Sequence, residues 1–425
     1  METFLHYLWA SRQYTSLDLV GEAAPATIEV IDPGTHNVHA GPDFFNAKVK
    51  INNILWVGDV EVHRSAGQWF EHGHHRDPLY RSVILHVVEY ADTSTTDQGG
   101  RRLPTCVIGV PEELRERAEY LVASSSLLPC SPLLGRVSEH SIREWLHSLA
   151  LERMERRVEQ IAELYQSYSD PREVGYLLLM RYFGFSLNND TMEALARSLP
   201  YRVVEAEQDR LVALEAALLG QAGLLDEVLD DDRRRQLVRE YARLRQDYGL
   251  RPIDARRWLR AKIRPANQPL SRLLQLASIF HLHRDLAQEC LYIRDIDQLS
   301  RLLSLHKPSR RGSSSDQESS PSLRLGKQSL SMLFINVIVP YQIEYARRTG
   351  QVPSFEVARH SLEELPPESN RHTRLFDQEG IHAANALGSQ GMIELRTSYC
   401  LPRKCLFCRW GRELLSARSS KDKRG

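Results

Sequence analysis

The stretch that decides the fold is Gly41-Pro42-Asp43-Phe44-Phe45-Asn46-Ala47-Lys48-Val49-Lys50-Ile51-Asn52-Asn53-Ile54-Leu55-Trp56-Val57-Gly58-Asp59-Val60-Glu61-Val62-His63. Two β-rich runs flank an asparagine pair, and Asn tolerates the positive φ of a tight turn, so the stretch reads as a β-hairpin. Side chains alternate faces along a strand, which puts Asp59, Glu61 and His63 on one side, neighbours about 6 to 7 Å apart. Three potential ligands on one face are costly unless a cation sits among them.

Working outward, the next segment adds His72, His74, His75, Asp77 and Tyr80, and then Val83-Ile84-Leu85-His86-Val87-Val88, which reads as a buried strand. Imidazoles and carboxylates at this density suit Mg²⁺, Mn²⁺ or Zn²⁺. Any one of these histidines is equally well a loop residue capping backbone groups, whereas the set together points to a metal. Upstream, Phe4, Leu5, Leu8 and Trp9 predict a short helix over 2–12. Ile28 to Ile31 reads as a first strand ended by the turn Asp32-Pro33-Gly34, and Thr35 to Ala40 as a loop. Downstream, Leu103 to Gly109 reads as an edge strand and Pro111 to Ala123 as a helix.

From Ser138 onward the pattern turns helical. Ile142, Trp145, Leu146, Leu149 and Met154 make one apolar stripe, and further helices are expected over Gly175–Phe185, Asp190–Leu199, Leu211–Leu229 and Leu330–Tyr345. The fold class is therefore α+β: an α/β domain with a small mixed sheet over 1–124, a helical domain over 125–304, a Ser-rich linker over 305–324, and a helical C-terminal region over 325–425. The last residues, from Arg418, are basic and polar and are expected to be disordered.

The formal net charge is zero, with 55 basic and 55 acidic residues. Overall charge thus does not advertise nucleic acid. A local run does: Arg233, Arg234, Arg235, Arg239, Arg243, Arg245, Arg251, Arg256, Arg257, Arg260, Lys262 and Arg264, with Tyr241 and Trp258 among them, could follow a phosphate backbone. The interleaved Glu240, Asp247 and Asp254 support the plainer reading of a solvated helix face. The start of the chain has neither a basic leader nor an apolar span, so no membrane partner is expected and the expected location is cytoplasmic.

Six cysteines are too few for a disulfide scaffold. Three of them form Cys400-Leu-Pro-Arg-Lys-Cys405-Leu-Phe-Cys408, and the short gap lets two thiolates grip one metal. The fourth candidate is Cys130, between Pro129 and Pro132. Four thiolates fit Zn²⁺ or an iron-sulfur cluster, and spacing alone does not separate them. Cys106 and Cys290 read as structural.

The chain resembles, over nearly its full length, a bacterial family of uncharacterised proteins, domain of unknown function 2851. The residues that carry this are Phe4-Leu5-His6-Tyr7-Leu8-Trp9, Ala40-Gly41-Pro42-Asp43-Phe44, Gly58-Asp59-Val60-Glu61-Val62-His63, Trp69, His72-Gly73-His74, Asp77, Tyr80, Ile84 to Val88, Arg264-Pro265-Ala266-Asn267, Ser389-Gln390-Gly391 and Tyr399-Cys400 with Cys405 and Cys408. That resemblance implies no function.

A more distant one does. Pro42-Asp43 followed on the next strand by Glu61-Val62-His63 is similar to the core of PD-(D/E)xK nucleases. It implies a restriction-endonuclease-like sheet, with Asp43 and Glu61 as ligands of Mg²⁺ or Mn²⁺ and His63 in the position of the water-orienting lysine. Lys48 or Lys50 is the alternative for that role. Some members also fasten their ends with a four-cysteine iron-sulfur cluster, although there the lone cysteine precedes the core, and Cys130 follows it here.

Register provides a check. A two-residue loop at Asn52-Asn53 would set Asp43 against Val62, pointing away from Glu61. A three-residue loop, or a bulge at Gly58, would put Asp43 opposite His63 on the ligand face, and one of these is expected. The first functional reading is a metal-dependent nuclease using Asp43, Glu61 and Asp59, with DNA or RNA held by the arginine-rich helices. The second is a Zn²⁺ or Fe²⁺ hydrolase of a small substrate built from His63, His72, His74, Asp77 and His86. The third is a non-enzymatic binding module.

Overall fold

The computed structural model describes residues 2–21, 26–37, 39–261, 263, 267–304, 325–351 and 355–416. The 305–324 linker, the tail from Arg418, Lys262 and Arg264 lie outside them. The protein is mixed α+β, with one seven-stranded sheet near the N-terminus and helices after it.

Helix α1 (Glu2–Ser11) precedes strands β1 (Leu17–Leu19), β2 (Ile28–Asp32), β3 (Thr35–His36), β4 (Phe44–Ile51), β5 (Ile54–Ser65), β6 (Val83–Tyr90) and β7 (Thr105–Ile108). The sheet order is β1-β7-β6-β5-β4-β2, with β3 also on β4. β4 and β5 are antiparallel, while β5, β6 and β7 run parallel, so the sheet is mixed. Two strands escaped the sequence pattern because they are only three and two residues long. One of them, β1, covers β7, which is therefore not the edge expected of Leu103 to Gly109.

Val60 and Val62 on β5 and Leu85 and Val87 on β6 are fully buried and face one side, as β-strand alternation requires. Phe4, Leu5, Leu8 and Trp9 of α1 join that core, with Ala118 and Leu121 of helix α2 (Glu112–Ala123). The other side of β5 and β6 carries Glu61, His63 and His86, with Glu61 and His86 side by side. That is where the chemistry collects.

The expected odd loop is absent: Ile51 pairs with Ile54 across Asn52 and Asn53, both at positive φ. The bulge lies in β4 rather than at Gly58. The register slips between Phe44 and Ala47, where Asn46 takes φ +57°. The extra residue sits on the first strand, so Phe44 meets Val60 and Asp43 comes beside Glu61 rather than opposite His63. Asp59 fixes the slip, since its Oδ1 accepts the Asn46 N–H at 3.0 Å and its Oδ2 accepts the Ser82 hydroxyl at 2.5 Å.

The chain divides into two compact units, Met1–Trp145 with Glu394–Gly425, and Leu146–Ile393. The second is helical, with a core that includes Leu177, Leu214, Leu218, Leu276 and Leu333. Its helix from Leu211 ends at Gln221, short of the expected Leu229, which is 95% exposed and has no core to join. The helix expected over Leu330–Tyr345 runs as Lys327–Leu333 and Val339–Arg348 with a π-helical segment, Phe334–Ile338, between them. Pro340 has no N–H to donate back into that turn, which accounts for the wider spacing.

Candidate metal centre

The site is built on β5 and completed by the turn that follows it. A four-residue helix, Gln68–Glu71, ends at His72, and Gly73 takes φ +77°. The His74 N–H bonds to Trp69 O at 3.1 Å and the Gly73 N–H to Phe70 O at 3.1 Å, the paired bonds of a Schellman turn. That reversal carries both His72 and His74 back over β5.

His63, His72 and His74 each bring one ring nitrogen to within 4.8 Å of the others. Nε2 of His63 lies 3.1 Å from Nδ1 of His72 and 3.4 Å from Oε1 of Glu61, and Nε2 of His74 lies 3.2 Å from the same Oε1. In a tetrahedron with 2.0–2.1 Å bonds to nitrogen and oxygen the edges are about 3.4 Å, so these spacings suit one ion. Nδ1 of His63 contacts Nε2 of His86 at 2.8 Å. His86, fully buried, stands behind His63 in the position of an outer partner that fixes its ring.

The second carboxylate is close by. Asp43 Oδ2 accepts the Val62 N–H at 2.9 Å, and Glu61 Oε2 accepts the Asp43 N–H at 3.1 Å. His6 of α1 stands 3.3 Å from Asp43 Oδ2, and Glu2 of α1 stands 3.9 Å from His63. Neither α1 residue figured among the sequence candidates. The signal available was His6 itself, a titratable group inside an otherwise apolar helical stripe.

Burial dominates the electrostatics. It drives His63 down to about 2, helped by repulsion from His86, His74 and His72, and drives His86 down to about 3. Both are neutral imidazoles, the form that binds metals. Burial, and then the charge of Asp43, raises the Glu61 carboxyl well above the ordinary range. For His6 burial acts downward, but the hydrogen bond and charge of Asp43 outweigh it and leave the group raised. Glu61 and Asp43 thus share a pocket that favours a cation between or beside them.

Other sequence candidates are placed elsewhere. Asp77 caps a short turn, its Oδ1 accepting the Leu79 N–H at 3.0 Å. Lys48 is exposed and pairs with Val57, four residues along β5 from Glu61, roughly 13 Å away at strand spacing. His75 meets the Phe70 ring edge-on, with centroids 5.1 Å apart. Asp59 accepts the Asn46 N–H of the bulge with one oxygen and the Ser82 hydroxyl with the other. Accordingly, Asp59→Ala is expected to destabilise the fold by about 1–3 kcal/mol in denaturant unfolding, since it leaves a partly buried N–H and a hydroxyl unpaired. The expected change in metal affinity is much smaller than for a histidine of the trio.

Several arginines of the run are paired with their own neighbours. Arg243 bonds Glu240 and Glu207 at 2.8 Å and Asp247 at 2.7 Å, Arg256 bonds Asp254 at 2.7 Å, and Arg233, Arg234 and Arg235 pair with Glu215, Asp231 and Asp232. Tyr241 and Trp258 are buried, their polar atoms bonded to Gln221 and Ala222, so neither offers a face for stacking a base. Cys130, Cys400, Cys405 and Cys408 line one cavity of the first unit.

No helix of the described residues is long and apolar enough to cross a membrane. Fold and site together define a mixed α+β protein with a histidine-rich centre on a sheet face. The chain belongs to the family described as "Protein of unknown function (DUF2851)", whose model matches residues 2–371. No curated protein and no solved structure matches it.

Proposed function

We propose that the protein is a metal-dependent hydrolase of phosphodiester bonds, with a borderline transition-metal ion held by His63, His72, His74 and Glu61. The observation that carries this is the convergence of ring nitrogens of His63, His72 and His74 within 4.8 Å of one another, with Glu61 Oε1 3.4 Å from His63 Nε2 and 3.2 Å from His74 Nε2. A nitrogen-rich set of this kind suits Zn²⁺, Fe²⁺ or Mn²⁺ better than Mg²⁺, which prefers oxygen ligands. A bound ion would supply Lewis acidity, activating water and polarising the scissile bond.

The phosphodiester substrate is argued from the neighbouring strands. Asp43, just before β4, stands beside Glu61 of β5, and the resemblance to PD-(D/E)xK nucleases would use this pair as metal ligands. His63 is held neutral, so it does not supply the positive charge of a lysine there. The protein's own contributions are to orient and to move a proton: His6, raised by Asp43, can hold one beside the carboxylates, and the His63–His86 contact fixes the tautomer of the ligand ring. The arginine run adds nothing to the substrate argument, so small phosphodiesters are as fitting a probe as nucleic acid.

The test is incubation of the purified chain with Mn²⁺ or Zn²⁺ and single- and double-stranded DNA and RNA, beside bis(p-nitrophenyl) phosphate and a carboxylic ester. Wild type is expected to cleave a phosphodiester, and Glu61→Ala to lose at least about 100-fold of the rate, the usual scale of removing a group from the reacting centre. Cleavage of the carboxylic ester alone would transfer the site to small-substrate hydrolysis. No metal-dependent cleavage of any phosphodiester by metal-loaded wild type would overturn the proposal.

A further inference from the structure

Four of the six cysteines meet at one place in the first unit, well separated in sequence. Cys130 opens the 3₁₀ turn Ser131–Arg136. Cys400 ends the π-helical segment Leu395–Cys400, and Cys405 and Cys408 lie on the loop that leads into the C-terminal helix Arg409–Ser416. All four line a single cavity whose remaining wall includes Leu121, Leu395, Tyr399 and Trp410, and no disulfide links any of them. The lining is apolar apart from sulfur, as a site that must exclude water requires.

The loop is shaped to aim these sulfurs. Arg403 takes φ +58°, and the Lys404 N–H returns to Tyr399 O at 2.8 Å, folding the chain back so that Cys405 rejoins Cys400. The C-terminal helix then starts hard against that loop. A Cβ on Gly411 would stand 1.9 Å from the Cys405 carbonyl oxygen, so only glycine allows the approach. Burial pushes the Cys408 thiol up, and the backbone N–H groups of Gly411 and Trp410, in the first turn of this eight-residue helix, act against that rise.

We infer that Cys130, Cys400, Cys405 and Cys408 hold a thiophilic metal centre, a zinc ion or an iron-sulfur cluster, which joins the segment after α2 to the C-terminal loop. The inference is independent of the hydrolase proposal. The four side chains line one apolar cavity with no disulfide among them, and a metal bound there would take the place of their protons. In the thiol form Cys405 donates to Leu121 O at 3.4 Å, a bond that yields when its sulfur is ligated. Ordinary packing of four cysteines as small apolar side chains explains burial but not the backbone N–H groups that act on one sulfur.

The experiment uses the full chain, purified without oxygen and analysed for zinc, iron and acid-labile sulfide, with a second sample stripped of metal and titrated with Co²⁺. The expected result is one thiolate-bound centre per chain. Zinc with sulfur-to-cobalt charge-transfer bands on exchange identifies the mononuclear site, and iron with sulfide and broad visible absorption identifies the cluster. The signal should disappear in Cys400→Ser and Cys130→Ser and persist in His74→Ala, which separates it from the histidine centre. Should either serine variant fail to fold, alkylation of native wild type decides: the four thiols should be protected until chelator is added. Wild type that carries no zinc or iron, gives no cobalt-thiolate bands and leaves these four thiols unprotected by added metal would overturn the inference.

Discussion

Replacing His74 by alanine is expected to weaken Zn²⁺ binding at the histidine centre by more than about 100-fold, because losing even an outer partner of a ligand costs about 10–100-fold. The effect should appear in stability as well. Free ion at 100 times its dissociation constant stabilises a folded protein by about 2.7 kcal/mol, and a 100-fold weaker variant at the same concentration keeps about 0.4 kcal/mol. Thermal unfolding with and without Zn²⁺ reads the difference, and the cysteine-rich loop contributes equally to both proteins. His86→Gln should fall between them, since His86 contacts only the far nitrogen of His63. Equal Zn²⁺ stabilisation of wild type and His74→Ala would sink the metal centre, and with it the proposed chemistry.

Much of this centre was legible in the chain because period-two alternation carries across a strand without regard to its surroundings. Glu61 and His63 share a face for that reason alone, and Asn52-Asn53 marked the turn that pairs their strand with β4. The exact opposition of Asp43 was not legible. A bulge adds one residue at a cost set by local hydrogen bonds, here the Asn46 N–H to Asp59, and nothing in the hydrophobic pattern announces it. The Asp59 carboxylate, a candidate ligand in the sequence, is the group that holds the bulge. Sequence pattern also could not bring His6 and Glu2 to the site, since only the packing of α1 on the sheet does that.

The arginine run shows the opposite failure. Counting positive charge along residues 233–260 suggests a nucleic-acid surface, yet Arg233, Arg243 and Arg260 each pair with an acid a few residues away or on an adjoining element of the same unit. Exposed pairs of this kind add little stability singly. What they do is use up the charge that a phosphate would need, and the burial of Tyr241 and Trp258 removes the stacking faces. Density of a residue type along the chain says what is available, whereas pairing decides what is left over.

Trp69→Ala is expected to be among the most damaging single changes to the first unit, at about 3–5 kcal/mol for loss of a fully enclosed aromatic. Trp69 is 1% exposed, and its ring centroid stands 5.5 Å from that of His74, 5.4 Å from His86 and 6.1 Å from Tyr80. It forms the wall behind a ligand and behind the outer partner of another. Its indole N–H bonds Thr96 O at 3.0 Å, so Trp69→Phe, which keeps an aromatic wall and loses only that bond, should cost about 1–2 kcal/mol. The backbone of the turn is untouched in either variant, because the His74 N–H bonds the Trp69 carbonyl and not its ring. The two should therefore separate in metal titration: about a 10-fold loss of affinity for the alanine, where His74 and His86 gain room to rotate, and near wild-type affinity for the phenylalanine. Unfolding that shifts by less than 1 kcal/mol in Trp69→Ala would show that the wall is dispensable, and unaltered affinity in a strongly destabilised Trp69→Ala would show that the ligand rings are held by the strand and turn alone.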